Sequence, residues 1–349
     1  MSAARNTKPQ VIGLLTAGGD CPGLNAVIRG VTSRAVSNRG AEVVGILNGW
    51  EGLMEGDTIP LDRDAVRGIL TRGGTVLGTS RMDPYVHGEG LASVEKTIRR
   101  TGIETLVVVG GDGTLRSALE LSKEGLHVVG VPKTIDNDIN GTDVTFGFDT
   151  AVQIAADAID RLASTAEAHN RVIVVEVMGR TKGWIAAYAG IAGGADTILI
   201  PERPYTLEDV ADVVRARHRR GKHFSIVVVA EGVAPPPGWE AEVKTDTFGF
   251  TRLGGVGYAI AAEIEKLTGF ETRVSVLGHI QRGGTPTAFD RVLATRLGVA
   301  AADYALAGMS GIMAAVRGAE IRPIPMEEAC AEIRGVPADI YNTAATFFS

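Results

Sequence analysis

The sequence has little of several features that mark particular classes of protein. It contains only two cysteines, Cys21 and Cys330, which excludes a disulfide framework and predicts a reducing, cytoplasmic location. Aromatic residues make up 5% of the chain, too few for a platform that stacks nucleic-acid bases. The net charge is −6, which argues against nucleic acid or an anionic membrane as a partner. Without a long apolar run, we expect neither a signal peptide nor a membrane span.

Glycine, in contrast, is abundant, with 45 of 349 residues, and much of it follows short apolar runs. These runs are rich in Val, Ile and Leu, as are parallel strands that are buried on both faces. They predict strands over residues 11–15, 43–47, 105–109, 127–131, 171–177, 197–200, 225–230 and 274–277. Amphipathic stretches predict helices over residues 24–37, 91–101, 114–124, 149–168, 206–219, 254–268 and 286–307. The alternation predicts an α/β fold with doubly wound parallel sheets.

The domain organisation is predicted from the longest helical connection, residues 149–168. We expect a first domain over residues 1–150, to which about 285–349 return, and a second over 151–284. Ligands of such sheets collect at the carboxyl ends of the strands, so the polar residues at those positions are the candidates for a functional site.

Two glycine loops lie at predicted strand ends. "TAGGDCPGLN" (16–25) and "GGDGT" (110–114) each follow a strand and open a helix. Glycines bring bare backbone N–H groups against an anion, and a helix N-terminus adds positive potential. Asp112 then suits a Mg²⁺ ion that is carried by phosphates. The alternative is that both loops are tight turns in which Asp20 and Asp112 cap helices.

The segment "VPKTIDND" (131–138) places acidic groups after another strand. Thr134, Asp136 and Asp138 are two residues apart, so in an extended backbone all three project to one side. One carboxylate can then take a proton from a substrate hydroxyl while the second orients it or holds metal. The alternative is an Asx-turn whose side chains satisfy themselves.

Basic side chains follow several of the remaining strands. Arg81 ends "LGTSR", Arg180 ends "VMGR", and "ETRVSVLGHIQRGG" carries Arg273, His279 and Arg282. An acidic protein that places arginines at strand ends is expected to bind a polyanion such as a phosphate ester. Each of these residues alone is more typical of a surface ion pair or a structural role.

Several of these motifs together resemble the phosphofructokinase family. "LLTAGGDCPGLNAVIRG", "GGTVLGTSR", "VVVGGDGT", "PKTIDNDINGTD", "RVIVVEVMGR", "VVAEGV" and "ETRVSVLGHIQRGGTPTAFDR" occur in the family's order and spacing, from about residue 10 to about 310. The resemblance implies two Rossmann-like domains with the active site in the cleft between them. The first domain would bind the phosphoryl donor and the second the sugar phosphate.

The resemblance also implies roles for individual residues. Asp136 would be the base that activates the 1-hydroxyl of fructose 6-phosphate, supported by Asp138, and Arg180 would lie between the two substrates. Asp112 would serve Mg²⁺. The donor would be bound by Gly18, Arg81, Gly111, Asp112, Gly113, Thr114 and Lys133, with Thr134 and Arg81 on the moving phosphoryl group. The sugar phosphate would contact Thr134, Asp136, Asp138, Arg171, Met178, Gly179, Arg180, Glu231, Arg273, His279 and Arg282, some of them from a neighbouring subunit.

The donor signature is mixed. Pyrophosphate-using relatives carry an aspartate where this chain has Gly113, and a lysine where it has Lys133. An aspartate at position 113 would fill the place of the α-phosphate of ATP, whereas a lysine does not exclude a nucleotide. We therefore expect ATP, with pyrophosphate as the alternative donor. The alternative for Lys133 itself is a solvated lysine in a turn.

The resemblance to the ATP-dependent bacterial enzymes extends only partly to their nucleotide effector site. Arg29, Asp196, Arg220 and Lys222 match or conservatively replace its positions, but Ser33 and Ala163 stand where arginines are expected. We therefore expect weak or no control by such an effector, and "RARHRRGKH" (215–223) reads equally well as a solvated helix end. The residues after Arg81, "MDPYVHGEG", also depart from the ATP-type pattern.

The function expected from the sequence is thus that of a glycolytic 6-phosphofructokinase, dependent on ATP and Mg²⁺. Its expected partners are fructose 6-phosphate and ATP, and the expected assembly is a homo-oligomer, a dimer of dimers. Another kind of kinase would explain "GGDGT" but not Arg273, His279 and Arg282. A non-catalytic subunit that binds nucleotide or sugar phosphate would need a broken base or metal residue, yet Asp112, Asp136 and Asp138 are all present.

Overall fold

The computed structural model describes residues 9–86, 88–239 and 254–348. Its strands are β1 Val11–Thr16, β2 Glu42–Ile46, β3 Thr58–Leu61, β4 Thr105–Gly110, β5 Val128–Pro132, β6 Val172–Val177, β7 Thr197–Leu199, β8 Ser225–Ala230, β9 Thr272–Val276, β10 Ile312–Arg317 and β11 Glu320–Pro325. Its helices are α1 Leu24–Arg39, α2 Trp50–Glu55, α3 Gly90–Thr101, α4 Asp112–Lys123, α5 Phe148–His169, α6 Trp184–Ala192, α7 Leu207–Arg219, α8 Val256–Thr268, α9 Ala288–Leu306, α10 Met326–Ala331 and α11 Ala338–Ala345. A short 3₁₀ helix covers Gly278–Arg282.

The first compact unit consists of the described residues up to Thr134, with Ile139–Gly147 and Gly283–Ile333. It holds a seven-stranded sheet in the order β11-β10-β5-β4-β1-β2-β3. The five inner strands run parallel, and β3 and β11 pair antiparallel with their neighbours at the two edges. β1, β4 and β5 are buried along their whole length. Helices α4 and α9 both pack against β4 and β5, so these strands need the continuous apolar runs that predicted them.

Two glycines let helices α1 and α9 of this unit approach each other closely. A Cβ added at Gly30 would lie 2.8 Å from the carbonyl oxygen of Thr295, and one at Gly298 would lie 2.6 Å from that of Val27. Any larger residue would push the helices apart. This packing holds α1, whose N-terminus follows the glycine loop after β1.

The second compact unit consists of Ile135–Asp138, the described residues from Phe148 to Arg282, and those from Arg334 onward. Its four-stranded sheet is parallel throughout, in the order β7-β8-β6-β9. β6 includes a buried acid, Glu176, which is 2% exposed. Its carboxylate accepts hydrogen bonds from the backbone N–H groups of Gly255 and Gly257, at 2.8 Å for the shortest to each. Glu176 therefore caps the start of α8 and needs no functional explanation.

The predicted α/β class with two domains built on parallel sheets is confirmed, because the apolar runs that predicted strands form β1, β2 and β4 to β9, each of which pairs parallel with a neighbour. The predictions lacked the edge strands β3 and β11 and the strand β10, which lies between β11 and β5. The units also divide the chain more finely than the predicted boundaries. Ile135–Asp138 groups with the second unit although its flanks group with the first, and the residues from Arg334 onward group with the second unit.

No helix within the described ranges is long and apolar enough to cross a membrane.

Candidate active site

The strands β1, β4 and β5 are neighbours in the seven-stranded sheet, and each of them ends at a predicted site residue or loop. Thr16 at the end of β1 pairs in register with Val109 of β4, and Gly110 at the end of β4 pairs with Pro132 of β5. The loop after β1, the start of α4 and Lys133 therefore lie side by side at the carboxyl edge of this sheet.

The loop after β1 is joined to the segment that ends at Arg81. The backbone N–H of Gly18 donates to the carbonyl oxygen of Ser80 at 2.9 Å, and Thr79 Oγ1 donates to the carbonyl oxygen of Gly18 at 2.6 Å. Gly18 has φ +82°, which favours glycine. These two bonds hold the two residues before Arg81 against Gly18. Arg81 itself is exposed, and its role on a phosphoryl group stays a prediction.

The second glycine loop leads directly into α4. Gly111 precedes the helix and Asp112 is its first residue. Thr114 packs on Gly110, where an added Cβ would lie 2.2 Å from Thr114 Cγ2. A Cβ added at Gly113, in contrast, would meet no atom within 4 Å. The space beside Gly113 is open, and the N-terminus of α4 gives it positive potential.

The carboxylate of Asp112 is held by a residue one helical turn away. Arg116 Nε donates to Asp112 Oδ1 at 3.0 Å and to Oδ2 at 3.1 Å. Within the described ranges, no group of three His, Cys, Asp or Glu residues could hold a metal. Asp112 is 19% exposed and could serve Mg²⁺ as a single ligand, with phosphate oxygens and water as the others, which is the usual arrangement for this ion. Its metal role stays a prediction.

Lys133 lies inside the first unit and is 3% exposed. Its backbone N–H donates to the carbonyl oxygen of Gly110 at 2.9 Å, and its Nζ donates to the carbonyl oxygen of Gly19. Nζ would also lie 3.5 Å from a Cβ on Gly18. The alternative of a solvated turn lysine is therefore wrong, because the side chain connects the end of β5 to the loop after β1.

The acidic segment differs from its predicted conformation. Thr134, Asp136 and Asp138 are all buried, at 9%, 7% and 5% exposure. The backbone is not extended, however, since it bends at residues 135 and 136 and Asn137 has φ +52°. Asn tolerates this left-handed conformation better than other non-glycine residues. The extended backbone, on which the projection of all three side chains to one side depended, is therefore not present, and the roles of the two buried acids stay predictions.

In the second unit, Glu231 follows β8 and Met178 follows β6, the neighbouring strand. Glu231 Oε1 accepts hydrogen bonds from the backbone N–H groups of Gly179 at 3.3 Å and Arg180 at 2.9 Å. Both of these residues have positive φ, +146° at Gly179 and +56° at Arg180. The carboxylate thus stabilises a turn that places a non-glycine residue in a left-handed conformation. Met178 is buried, at 9% exposure.

Burial is the main cause that raises the pKa of Glu231 to about 7. The charge of Asp136 raises this pKa as well, whereas the hydrogen bonds from Arg180 and Gly179 and the charge of Arg282 lower it. The charges of Asp136 and Arg282, two residues predicted for the site, therefore act on the carboxyl group of Glu231, a third. A carboxyl group tuned to titrate near neutrality is typical of a functional site.

The basic residues predicted for the 6-phosphate lie at the two ends of the four-stranded sheet. Arg171 immediately precedes β6, and Arg273 is the second residue of β9, next to Ile173. His279 and Arg282 belong to the 3₁₀ helix beyond the carboxyl end of β9. A strand of this length spans about 15–20 Å. The two pairs therefore cannot hold the same phosphate group within one chain.

Glu271 forms ion pairs with both Arg171 and Arg273 at the amino end of the four-stranded sheet. Arg171 Nη2 lies 2.8 Å from Glu271 Oε1, and Arg273 Nη2 pairs with the same oxygen. A second carboxylate lies at this end as well, since Glu265 Oε2 accepts the backbone N–H of Thr272 at 2.9 Å.

Of the residues at positions that match the nucleotide effector site, some are exposed to solvent and one is buried and already hydrogen-bonded. Asp196 is 8% exposed, and its carboxylate accepts from the backbone N–H of Ile226 at 2.8 Å and pairs with Arg217 at 2.8 Å. Arg29, Ser33 and Ala163 are partly exposed, and Arg220 and Lys222 are exposed. The segment 215–223 is not a uniformly solvated helix end, because Arg217 is bonded inward and His218 stacks on Phe270 with ring centroids 3.7 Å apart.

Arg116 of α4, a partner of the predicted site residue Asp112, was not identified from the sequence. Arg116 holds both oxygens of Asp112, and the i, i+4 spacing of an acid and a base on a predicted helix could have indicated it.

Glycine loops at the carboxyl edge of one sheet, and carboxylate and arginine side chains beyond another, are typical of the class of α/β proteins that bind phosphates. The family model described as phosphofructokinase matches residues 11–305. The pyrophosphate–fructose 6-phosphate 1-phosphotransferase of Amycolatopsis methanolica is 52% identical over 97% of this chain and 99% of that protein. The ATP-dependent 6-phosphofructokinase 2 of Streptomyces coelicolor is also 52% identical, over 97% of this chain and 99% of that protein.

A solved structure agrees with these relatives. The phosphofructokinase of Pichia pastoris in the T-state has a TM-score of 0.82 and 32% identity; the match covers 99% of this chain and 37% of that longer one. The chain belongs to the phosphofructokinase family. It is therefore an enzyme, a phosphotransferase.

Proposed function

We propose that this enzyme transfers the terminal phosphoryl group of ATP to the 1-hydroxyl of fructose 6-phosphate, giving fructose 1,6-bisphosphate and ADP. The observation that carries the choice of donor is the open space beside Gly113, where an added Cβ meets nothing within 4 Å. A donor with a nucleoside beyond its phosphates needs such space.

The proposed chemistry is a direct displacement. The oxygen of the 1-hydroxyl attacks the terminal phosphorus, its proton passes to the carboxylate of Asp136, and the bond from that phosphorus to the oxygen of ADP breaks. Asp138 supports Asp136, and Arg180 lies between the substrates. Gly18, Arg81 and Thr134 lie against the moving phosphoryl group, where the guanidinium of Arg81 and the hydroxyl of Thr134 offset its charge.

The donor is held by the loops at the carboxyl edge of the seven-stranded sheet. The backbone of residues 111–114 at the start of α4 offers N–H groups to phosphate, and Lys133 supports the loop after β1 through the carbonyl oxygen of Gly19. Asp112 would hold Mg²⁺ together with the phosphate oxygens of the donor. The ion supplies positive charge that offsets the charge of these oxygens.

The sugar phosphate is held by Met178, Gly179 and Glu231, with His279 and Arg282 on its 6-phosphate. Arg171 and Arg273 lie at the other end of their strands, so they would serve the 6-phosphate of a second copy of the chain. The enzyme is therefore at least a dimer, and we propose a dimer of dimers that acts in the cytoplasm.

Pyrophosphate is the second candidate donor, because two features favour it. Lys133 is the residue of pyrophosphate-using members at its position, and a relative named for pyrophosphate is as similar to this chain, at 52% identity, as one named for ATP. Lysine adds a cation but fills no space, since its side chain is directed onto Gly19. The open space beside Gly113 therefore decides the choice of donor more strongly than the presence of Lys133, and it favours ATP.

A donor comparison tests the proposal. Initial rates with fructose 6-phosphate are measured with ATP–Mg²⁺ and with pyrophosphate–Mg²⁺ for wild type, Gly113→Asp and Gly113→Ala. Wild type is expected to prefer ATP, and Gly113→Asp to lose about 10²-fold in kcat/KM for ATP, because its carboxylate enters the open space with a charge that repels phosphate.

Gly113→Ala is the matched control, since its Cβ fits without contact. It is expected to stay within about threefold of wild type with ATP. A wild type that uses pyrophosphate alone would overturn the choice of donor. A wild type inactive with both donors, yet able to bind fructose 6-phosphate, would indicate a non-catalytic subunit.

A further inference from the structure

The carboxyl-terminal segment that begins at Arg334 contacts the acidic segment of the second unit. Arg334 lies beyond residue 305, where the family match ends. Its backbone N–H donates to the carbonyl oxygen of Asp138 at 2.8 Å. Its guanidinium donates through Nη2 to the carbonyl oxygen of Asn137 at 3.1 Å. One residue thus bonds two consecutive carbonyl groups of the segment that carries the proposed base.

These carbonyl groups lie in a strained and buried stretch. Asn137 is 2% exposed and has φ +52°, and Asp138 is 5% exposed. A buried carbonyl oxygen needs a donor, and a left-handed residue persists only when its surroundings hold it. Arg334 supplies both the donor and the support, on the carboxyl side of Asp136.

Arg334 is itself fixed from two directions. Its guanidinium carbon lies 4.5 Å from the centroid of the Trp184 ring, and Trp184 Nε1 donates to the carbonyl oxygen of Arg334 at 3.0 Å. Glu202 anchors the following residues, because its Oε1 accepts the backbone N–H of Val336 at 3.0 Å. The same carboxylate accepts the N–H of Gly183, at 3.2 Å from Oε1 and 3.1 Å from Oε2. A rigidly held guanidinium is suited to positioning another group.

We infer that Arg334 is a positioning residue for catalysis, which fixes the backbone of residues 137 and 138 so that Asp136 and Asp138 keep their reactive placement. The inference rests on the proposed role of Asp136 as the base. Arg334 acts through the backbone, not on substrate, so its loss should lower kcat and leave substrate binding nearly unchanged. A small misplacement of a base is enough for a large loss of rate.

The experiment compares Arg334→Ala with a matched control, Arg203→Ala. The Arg203 guanidinium also stacks on an aromatic ring of the carboxyl-terminal segment, 5.4 Å from the centroid of Tyr341. No hydrogen bond joins its side chain to residues 135–138 among the contacts described. Steady-state kinetics with both substrates and the melting temperature are measured for both variants.

Arg334→Ala is expected to lose about 10-fold or more in kcat, with both KM values within about threefold of wild type. Added guanidinium at millimolar concentration, well below denaturing levels, should restore part of the lost kcat by filling the vacated place. Arg203→Ala should keep its kcat within about twofold of wild type. Equal kcat in the two alanine variants would overturn the inference, as would a loss in Arg334→Ala that appears only in KM.

A conservative variant covers the case in which Arg334→Ala does not fold. Arg334→Lys keeps the charge and the aliphatic stem but lacks the planar fork that both stacks on Trp184 and donates to Asn137. Its kcat is expected between those of wild type and the alanine variant, and a kcat equal to wild type contradicts the inference. The variant Asp136→Ala distinguishes a failure of the proposed base from a failure of the positioning role of Arg334. If that variant keeps wild-type turnover, the assignment of the base fails; if it is inactive while Arg334→Ala is normal, only the positioning role fails.

Discussion

The carboxyl edges of the two sheets are built from different chemistry. On the seven-stranded sheet the site consists mainly of backbone and space, with Gly18 at positive φ, an open volume beside Gly113 and a lysine turned onto a carbonyl oxygen. On the four-stranded sheet it consists of charged side chains, with Glu231 bonded to the turn at Gly179 and Arg180 and electrostatically coupled to Asp136 and Arg282. The first edge suits a ligand recognised by its phosphates, and the second one recognised by hydroxyl groups and a defined charge.

The difference teaches which substitutions each region tolerates. A backbone site depends on the space that its residues leave, so an added side chain is the change that breaks it. A side-chain site depends on charges that support one another, so the removal of one charge is the damaging change.

The largest effect is expected at the proposed base. Asp136→Ala should lower kcat by about 10²-fold or more, because the proton of the 1-hydroxyl then has no acceptor of matched geometry. Steady-state rates with saturating substrates measure it. Asp157→Ala is the control, since Asp157 is an exposed carboxylate on α5. Near-wild-type turnover in Asp136→Ala would contradict the role of Asp136 as the base.

A second large effect concerns the two ends of the four-stranded sheet. Arg273→Ala and Arg282→Ala should each lose about 10²-fold in kcat/KM for fructose 6-phosphate, because a charged partner of the 6-phosphate is gone. If the two residues serve one phosphate from different copies, co-expression of the two variants should restore activity in mixed oligomers. Each mixed pair contains one site with both arginines intact.

The control for this complementation is a pair from the same end of the sheet. His279→Ala co-expressed with Arg282→Ala should restore nothing, because every site in the mixture lacks one of the two residues. Equal recovery in both mixtures, or recovery in neither, would contradict a shared site.

A moderate effect is expected on the seven-stranded side. Lys133→Met removes the bond from Nζ to the carbonyl oxygen of Gly19 and keeps most of the side-chain volume. The loss of a charged hydrogen bond should raise the KM for ATP about 10-fold, while the KM for fructose 6-phosphate stays within about twofold. Lys123→Met, at an exposed lysine of α4, is the control. A rise in the KM for fructose 6-phosphate alone would contradict the assignment of Lys133 to donor binding at the seven-stranded sheet.

The smallest effect concerns stability, and it tests the coupling around Glu231. Its pKa is raised from 4.5 to about 7 in the folded enzyme, so between these values the folded state holds a proton that the unfolded state has released. This contribution to stability is present below pH 4.5 and is lost as the pH rises through about 7. Relative to Glu231→Gln, the melting temperature of wild type should therefore fall by a few degrees from pH 5 to pH 8.

Melting curves at one fixed protein concentration measure this difference, because oligomers melt in a concentration-dependent manner. Glu167→Gln, at an exposed carboxylate of α5, should follow the wild-type profile. Parallel profiles for wild type and Glu231→Gln would show that the carboxyl group titrates at its ordinary value.

The fully buried strands β1, β4, β5, β6 and β8 could be predicted from the sequence, because burial on both faces demands apolar runs without interruption. The hairpin of β10 and β11 could not be predicted in the same way. β11 reads "EIRPIP", an edge strand with two prolines and exposed polar residues, and such strands lack the alternating or continuous pattern.

Some features of the candidate site could likewise be predicted from the sequence, and others could not. The proximity of the loop after β1, Asp112 and Lys133 follows from the rule that the carboxyl ends of parallel strands meet at one edge. The bend at Asn137 could not be foreseen, since the surrounding packing decides a left-handed φ. The contact between Arg334 and Asn137 spans 197 positions of sequence, and no local pattern connects residues so far apart.

The discontinuity of the two units has a consequence for biosynthesis. A ribosome releases the chain from its amino end, at about 5–20 residues per second. The sheet of the first unit is incomplete until β10 and β11 have emerged, and by then every strand of the second unit has already been made. The second unit in turn lacks Arg334 and the residues after it until β10 and β11 have also been made. The nascent chain therefore cannot complete either unit before residue 333, and the contact that supports the acidic segment forms only after the strands of both sheets have been made.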